Sequence, residues 1–369
     1  MKVEGKPFRS IWLNKNRWSV DIIDQTLLPH QFKIRTLENV ESAAEAIATM
    51  RVRGAPLIGA TAAYGVALAM HEDPSDESLA SACRSLIKTR PTASNLRWAV
   101  ERMRGVLAEW GPEKRESLAY RAASEICDED VAINDAIGDN GLNLIQDLWT
   151  NRPSNRRTFH ILTHCNAGWL ATVDWGTALA PIFKAHDAGI PVHVWVDETR
   201  PRNQGASLTS WELKVHGIPH DVIVDNAGGH LMQRGKVDML LTGTDRTTRC
   251  GDVCNKIGTY LKALAARDNR VPFYVALPGP TIDWSISDGI SGIPIEERDG
   301  SEVSTISGRL ENGEIAAVQL LPDQVSVRNF AFDVTPAKLV TGLITERGVC
   351  AASEDGLQFL YPEQVRESA

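Results

Sequence analysis

The sequence predicts an α/β protein: a small, mainly helical amino-terminal domain with a short β-hairpin, followed by a Rossmann-like domain built on a parallel sheet. From Phe159 onward, five short apolar runs are each followed by a loop or a helical pattern, and such alternation is typical of a parallel sheet with right-handed crossovers. Before that point, long stretches up to about Leu148 carry helical spacing of apolar residues. The polar, basic segment TNRPSNRRT lies between these patterns, so we predict domains over residues 1–150 and 151–369.

The composition is that of an ordinary globular protein, with 369 residues, 43% of them hydrophobic and 23% charged. A net charge of −8 argues against nucleic acid as a partner, because duplex binding depends on clustered Lys and Arg. No apolar run approaches the roughly 20 residues that span a bilayer, and the first residues lack the apolar segment of a secretory signal. We therefore predict a cytoplasmic protein with no membrane partner.

The six cysteines are scattered through a large chain, so a disulfide scaffold is not expected and reduced thiols are the default prediction. Cys250 and Cys254 are four residues apart, but no second cysteine pair or spaced histidines accompany them. A zinc site is therefore disfavoured, and no metal is predicted.

The first elements are a hairpin and helices. β-like runs within residues 9–37 meet near Leu28, and a helical pattern starts at Val40. The turn Arg53-Gly54-Ala55 precedes a proline suited to a helix start, and backbone amides there, together with the Arg53 guanidinium, can hold an anion. The alternative is a tight helix connection with Arg53 in a structural salt bridge. Arg90 lies in the connection between two later helices.

The sheet is predicted from five buried runs, which are FHILTHC, VHVWVDE, HDVIVDN, VDMLLTGTD and VPFYVALPG. Helices are predicted between them, around 169–185 and from about 204 to 216, with a further one at GGHLMQRG. There is no GxGxxG motif after the first strand and no P-loop lysine motif. The fold is therefore nucleotide-binding in type, but the ligand need not be a nucleotide.

Two polar residues follow the first two of these strands. Cys165 ends the first strand, and Asn166 and Gly168 after it can shape an anion-binding turn. Cys165 as a small buried apolar residue is the alternative. His164 is not expected to pair with it, because neighbouring strand residues point to opposite faces. Gln204 lies near a helix start, and on its own a solvated side chain is favoured there over a ligand contact.

The segment from Leu240 to Ala266 predicts a buried strand, a polar turn and a helix. Asp245 then lies just past the carboxyl end of a strand, the edge of an open α/β sheet where ligands bind. Asn255 and Lys256 are predicted to open the following helix, where free N–H groups favour phosphate. A surface aspartate and a solvated lysine are the alternative. Near the carboxyl end, a helix is predicted with Thr335 as N-cap and a proline in its first position, and Asp333 is predicted to be a turn residue.

With these segments assembled, the chain resembles the methylthioribose-1-phosphate isomerases of methionine salvage, part of a wider family of aldose-1-phosphate isomerases. The resemblance runs through nearly the whole chain and rests on motifs found in order: RGAPLIGATAAYG, RPTASNLRWA, LTHCNAG, ETRPRNQGASLTSWEL, DNAGG, GTDR, GDVCNKIGTY, IPIEER and FDVTPAKLVTGLITERGV. As a set they are highly specific, although any one alone is weak. The chain departs from the expected pattern in the TTRC segment after GTD and in the two tryptophans that follow HCNAG.

The resemblance implies roles at matching positions. Cys165 and Asp245 match the catalytic cysteine and the catalytic acid. The matching substrate-binding positions are Arg53, Gly54, Ala55, Arg90, Gln204, Asn255 and Lys256.

The implied reaction converts a furanose aldose 1-phosphate into an open-chain 2-ketose 1-phosphate without a metal or organic cofactor, and family members are typically homodimers. Other sugars, 5-deoxyribose 1-phosphate or ribose 1,5-bisphosphate, remain alternatives. So do a non-catalytic role, as in the related translation initiation factor subunits, and a cysteine hydrolase, which is disfavoured because no histidine is placed to activate the thiol.

Overall fold

The structure, a computed structural model, describes residues 1–90, 93–152 and 157–365. Two sequence predictions extend beyond these ranges. Residues 91 and 92 of the RPTA motif and residues 153–156 of the predicted interdomain linker lie outside the described residues.

As the sequence predicts, the amino-terminal region is mainly helical after a few short strands, and a strand-rich region follows it. The helices are α1 Val40–Ala48, α2 Ala55–Glu72, α3 Asp76–Thr89, α4 Ser94–Ala108, α5 Pro112–Thr150, α6 Leu179–Asp187, α7 Ser210–His216, α8 Ala227–Gln233, α9 Thr259–Asp268, α10 Gly289–Gly292, α11 Ser301–Ser304 and α12 Glu354–Leu360. The strands are β1 Lys2–Val3, β2 Lys6–Pro7, β3 Ile11–Leu13, β4 Val20–Ile23, β5 Ile34–Leu37, β6 Phe159–Thr163, β7 Val192–Asp197, β8 His220–Ile223, β9 Met239–Thr242, β10 Arg246–Thr248, β11 Val253–Lys256, β12 Phe273–Ala276, β13 Ile282–Asp283, β14 Thr305–Arg309, β15 Ile315–Gln319, β16 Phe332–Thr335, β17 Gly342–Thr345 and β18 Gly348–Cys350.

The amino-terminal helices form a bundle around α2. Residues 57–70 of α2 are all buried, as its Gly- and Ala-rich sequence predicts, because small side chains allow neighbouring helices to approach closely. The predicted hairpin is confirmed by the antiparallel pairing of β4 with β5, and β3 adds a third strand. The turn before α2 also forms as predicted, with Gly54 at the N-cap and a proline in the first turn.

The main sheet has seven strands in the order β18-β17-β12-β9-β6-β7-β8. The five predicted strands, β6, β7, β8, β9 and β12, are parallel neighbours within it, which confirms the predicted parallel sheet. Two further strands extend it, β17 in parallel and β18 antiparallel at the edge.

The strand order reverses between β6 and β9. The chain proceeds from β6 through β7 to β8 on one side, then returns to place β9 and β12 on the other. A crevice opens at such a switch point because the loops leaving the two central strands diverge in opposite directions. Cys165 follows β6 and Asp245 follows β9, so both lie at this crevice.

A second, four-stranded sheet, in the order β13-β10-β11-β16, corrects one prediction. Asn255 and Lys256 do not open a helix: they end strand β11, and α9 starts only at Thr259. The strand is stabilised by pairing with β16, in which Asp333 lies opposite Asn255. This partner is far away in sequence, which is why local spacing did not indicate a strand.

The predicted helix near the carboxyl end is also wrong. Thr335 ends strand β16, and residues 337–339 form only a single 3-10 turn before β17 begins. Asp333 is a strand residue, not a turn residue, and its carboxylate accepts hydrogen bonds from the backbone N–H groups of Gly258 and Tyr260. It therefore caps the start of α9 from another element.

The predicted helix around 169–185 is shorter than expected. A 3-10 turn covers Trp169–Ala171, and α6 begins only at Leu179. The helix predicted from Gln204 does form, as a five-residue π-helical turn that continues into α7. The structure pairs none of the six cysteines in a disulfide. Among the described residues, no helix combines the length and apolar composition needed to cross a bilayer.

Candidate active site

The candidate active site lies at the crevice between β6 and β9, where α2 begins. An inner cavity of about 30 Å³ is lined by Arg53, Gly54, Ala55, Cys165, Asp245 and Asn255, together with other residues of the same loops. An outer cavity of about 50 Å³ shares Gly54, Ala55 and Asp245 with it and adds Arg90 and several apolar side chains. The structure thus brings together predicted residues that are up to 202 positions apart in the sequence.

Arg53 is buried and points at the loop after β6. Its Nη2 donates to the backbone oxygen of Asn166 at 2.9 Å, and its Nη1 donates to the Asn166 side-chain oxygen. The structural salt bridge considered as an alternative is therefore replaced by a bidentate contact with a neutral residue. Among the residues that the structure describes, no carboxylate forms an ion pair with Arg53, so its positive charge remains available to an anion.

Gly54 is required by both its backbone and its surroundings. Its φ of +94° lies in the region that favours glycine, and a Cβ there would be 2.3 Å from the carbonyl oxygen of Ala171. The start of α2 is therefore in direct backbone contact with the turn that follows β6. This contact fixes the distance between Arg53 and the Cys165 loop.

Cys165 is buried and held from several directions in a left-handed backbone conformation, with φ of +67°. Its N–H donates to Thr199 Oγ1 at 2.8 Å, and its carbonyl accepts from Thr209 Oγ1 at 2.7 Å. Its Sγ donates to Gln204 Oε1 at 3.3 Å, and Gln204 is itself buried rather than solvated. The thiol therefore has a defined orientation and a polar partner, which a residue that only fills space does not need.

Asp245 follows β9, and its N–H donates to the carbonyl of Cys254 at 2.9 Å. Asp245 is half-buried, and desolvation of its carboxyl raises its pKa above the ordinary value, although the positive charges of Lys256, Arg53 and Arg90 oppose the rise. A carboxyl group whose pKa is raised by burial is suited to donate a proton.

Lys256 and Asn255 approach the site from β11 and not from a helix start. Burial lowers the pKa of Lys256, while the negative charges of Cys165 and Asp245 oppose the decrease. Its Nζ lies 4.6 Å from the centre of the Phe332 ring. The Asn255 side chain donates to Thr259 Oγ1 at 3.0 Å, which fixes it to the first residue of α9.

Glu212 supports the Cys165 loop from behind and was not identified from the sequence. It accepts hydrogen bonds from Asn166 Nδ2 and from the backbone N–H of Trp169, each at 2.8 Å, and burial raises its pKa to about 7. A Cβ at Gly168 would lie 2.0 Å from the Glu212 carboxylate, so a larger residue there would displace that carboxylate from its hydrogen bonds. A charged residue inside the apolar pattern of SLTSWEL was the available signal.

A buried ionic network lies on the other side of the cysteine loop. His164 does not contact the Cys165 thiol; its Nδ1 lies 2.8 Å from Asp197 Oδ2, and its Nε2 donates to the carbonyl of Ile257 at 2.8 Å. Lys262 Nζ lies 3.1 Å from the same Asp197 oxygen. The potential ligand atoms of His164, Asp197 and Asp225 lie within 4.8 Å of one another, but the lysine already supplies a positive charge there. The cluster is therefore an ion network that joins the ends of neighbouring strands to α9.

Comparisons with known proteins agree with this geometry. Residues 51–352 match the model of the initiation factor 2 subunit family. A methylthioribose-1-phosphate isomerase from Rhodospirillum rubrum is 63% identical over 99% of this chain and 94% of its own length. One from Acidiphilium cryptum is 63% identical over 100% of both chains.

Solved structures give the same relationship. The crystal structure of 5-methylthioribose 1-phosphate isomerase from Pyrococcus horikoshii OT3 has a TM-score of 0.83 and 39% identity, covering 97% of both chains. That of a translation initiation factor eIF-2B delta subunit from A. fulgidus has a TM-score of 0.79 and 38% identity, covering 96% of this chain and 100% of that one. The chain belongs to the initiation factor 2 subunit family and, within it, to the methylthioribose-1-phosphate isomerase family.

Proposed function

We propose that this protein is an aldose–ketose isomerase that converts 5-methylthio-D-ribose 1-phosphate into 5-methylthio-D-ribulose 1-phosphate in methionine salvage. Two relatives that are 63% identical to this chain are named methylthioribose-1-phosphate isomerase. The observation that carries the proposal is the pairing of Asp245, a carboxyl group with a raised pKa, with the oriented thiol of Cys165 on one cavity.

Asp245 is proposed as the acid and base of the reaction. The phosphate on C1 blocks a free aldehyde, so the ring must be opened on the enzyme. The protonated Asp245 gives its proton to the ring oxygen as the bond between that oxygen and C1 breaks. When hydrogen has moved from C2 to C1, the C2 hydroxyl loses its proton to the Asp245 carboxylate, which restores the acid.

Cys165 is proposed to assist the transfer of hydrogen from C2 to C1 by one of two routes. As a thiolate it takes the C2 proton and a proton then reaches C1 through a phosphoenol-type intermediate; alternatively, it polarises the site while hydride moves directly. Deuterium placed on C2 separates the routes. Retention of the label at C1 supports hydride transfer, and its loss to water supports proton transfer.

The phosphate is proposed to bind among the cations at the start of α2. Arg53, Arg90 and Lys256 supply positive charge, and residues 54–56, at the start of the 18-residue helix α2, line the inner cavity, where the amino end of a helix favours an anion. Gln204 and Asn255 are proposed as hydrogen-bonding partners of the sugar.

The outer cavity favours a methylthio or methyl group on C5. Its lining includes the apolar side chains of Ile58, Ile293, Pro294 and Phe332. Apart from Arg90, the outer cavity is lined by one further arginine, Arg246, which forms an ion pair with Asp283 at 3.5 Å. A 5-phosphate requires a second cationic cluster, so ribose 1,5-bisphosphate is the less favoured substrate.

The test is an NMR or coupled assay of ketose 1-phosphate formation from methylthioribose 1-phosphate, with 5-deoxyribose 1-phosphate and ribose 1,5-bisphosphate run beside it. Asp245→Asn and Cys165→Ser are expected to lower turnover at least ~100-fold with folding intact. Cys250→Ser is the matched control, because that thiol is partly exposed and lies outside the site. Wild-type turnover in either site variant removes that residue from the mechanism, and no turnover of any sugar by the wild type favours a non-catalytic role.

Three organisational features are proposed with this function. We infer a homodimer located in the cytoplasm, and a division into domains over residues 1–150 and 151–369. Light scattering after size-exclusion chromatography tests the dimer, and limited proteolysis of the full chain, with mass determination of the fragments, tests the division.

A further inference from the structure

The charged residues of the IPIEER motif have no role in the function proposed above, yet they lie next to the site. We name residues 293–302 the strap. Its first residues line the outer cavity, and it then runs antiparallel to 329–331, with Ala331 N–H donating to Glu296 O at 2.9 Å and Arg298 N–H donating to Asn329 O at 2.8 Å. The next residues along the chain form β16, which pairs with the strand carrying Asn255 and Lys256.

A chain of ion pairs joins the strap to two substrate-binding loops. Arg90 Nη2 lies 3.2 Å from Glu296 Oε2, and Arg298 Nη1 lies 2.8 Å from the other oxygen of Glu296. Arg298 then contacts Glu302 at 2.7 Å, and Glu302 contacts Arg202, close to Gln204, at 2.8 Å. The strap therefore holds both Arg90 and the loop of Gln204.

The pair between Arg90 and Glu296 is partly shielded from solvent, with side-chain exposures of 14% and 22%. Burial by itself raises the pKa of Glu296, but the charges and hydrogen bonds of Arg90 and Arg298 outweigh it and lower the pKa, so this carboxylate is ionised at neutral pH. The Nε of Arg90 is buried and has no hydrogen-bond partner among the described residues. Glu296 is thus the carboxylate that fixes the Arg90 guanidinium.

We propose that Glu296 is a positioning residue that holds the guanidinium of Arg90 in the orientation in which it binds the substrate phosphate. This inference rests on the proposed role of Arg90 in phosphate binding. An arginine that is free to rotate must lose side-chain entropy when it binds, whereas one already fixed by a carboxylate on one edge presents its other donors in place. Glu296 acts here through Arg90 and does not touch the substrate.

Glu296 also contributes to the electrostatic field at Asp245. The charged and titratable groups near Asp245 come from the turn before α2, the residue after α3, β10, β11, the strap and the loop after β6. They are Arg53, Arg90, Arg246, Cys254, Lys256, Glu296, His164 and Cys165. Among the charges acting on Asp245, that of Glu296 raises its pKa while those of Lys256, Arg53 and Arg90 lower it. Removing Glu296 should therefore lower the pKa of Asp245 and move the alkaline limit of activity to lower pH, an effect that a purely structural role does not produce.

The experiment measures binding of inorganic phosphate by calorimetry, together with the kinetics and pH profile of isomerisation. Glu296→Gln removes the charge, and Glu296→Asp keeps the charge but shortens its reach. Both are expected to weaken phosphate binding at least about tenfold and to raise KM more than they lower kcat. In an Arg90→Met background, Glu296→Gln should add little further loss, because the two residues act as one unit.

Glu297→Gln is the matched control. Glu297 is on the same strap, but its ion pair with Arg328 is solvent-exposed, so phosphate binding and kinetics are expected to stay at wild-type values. If Glu296 were only a nearby negative charge, its removal would tighten phosphate binding; equal or tighter binding by Glu296→Gln overturns the inference, as does a wild-type protein that binds no phosphate. If the wild type turns over no sugar and Glu296→Gln still weakens phosphate binding, the proposed function is refuted and this inference remains intact.

Discussion

The backbone contact at Gly54 allows one substitution to test the geometry of the whole site. In Gly54→Ala the new Cβ would lie 2.3 Å from the carbonyl oxygen and 2.6 Å from the Cα of Ala171, whereas real Cβ atoms essentially never come closer than 3.0 Å. Neither neighbour is a flexible side chain, so α2 and the turn after β6 must separate by roughly 1 Å, a displacement that costs about 100-fold in catalysis when it misplaces reacting groups. The backbone conformation, with φ of +94°, adds strain of about 1–3 kcal/mol.

Gly54→Ala is therefore expected to lower kcat/KM for the aldose 1-phosphate by about 100-fold and the free energy of unfolding by about 1–3 kcal/mol. The isomerase assay and urea denaturation measure the two effects. Gly105→Ala is the matched control: Gly105 is exposed on α4, and a methyl group added there would have no atom within 4 Å, so activity should be unchanged and stability slightly increased. Wild-type kcat/KM in Gly54→Ala would refute the claim that this contact sets the spacing of the site.

Three further predictions concern charge. Lys262→Met leaves the fully buried Asp197 carboxylate without its lysine partner, so urea denaturation should show a loss of about 3 kcal/mol; a loss below about 1 kcal/mol would contradict the importance of the network. Because Asp245 must be protonated to act, kcat/KM should fall as pH rises through its raised pKa, and a profile that stays flat up to pH ~9 would argue against this acid. The pKa of Glu302 is lowered from 4.5 to about 2, because the pairs with Arg298 and Arg202 outweigh the opposing effect of burial. The contribution of Glu302 to the free energy of unfolding, on the order of 2 kcal/mol, should be present above pH 4.5 and be lost as pH falls towards 2. Glu302→Gln should abolish this part of the pH dependence of unfolding.

The positions of the residues that follow the central strands could be predicted from the local sequence. Cys165 and Asp245 each follow a short apolar run, and the rule that ligands bind beyond the carboxyl ends of parallel strands was sufficient to predict that Asp245 lies at the ligand-binding edge of the sheet. The strand order, which brings both residues to one cavity, was not predicted. Gly54 was likewise predicted from a turn signal next to a proline. These signals are local, so they do not depend on which distant segments pair.

Most of the errors involve partners that are distant in sequence. Asn255 and Lys256 look like a helix start because a helix does follow within three residues, but pairing with β16 extends the strand through Lys256. Asp333 caps α9 from 73 residues or more away, so no cap signal is visible near Thr259 itself. Glu296 was within a recognised motif, but its role depends on an arginine 206 positions earlier in the chain.

Helix α5 has a consequence for how the molecule unfolds. It runs without interruption for 39 residues, about 58 Å, and contributes to two separate cores: Ile126 and Cys127 pack among the amino-terminal helices, and Ile137 and Ile145 pack under the main sheet. Melting of either core therefore removes packing from a helix that the other core also needs. Because both cores pack on the same helix, the protein should unfold in a single cooperative transition. The amide hydrogens in the middle of α5 should be among the last to exchange with solvent.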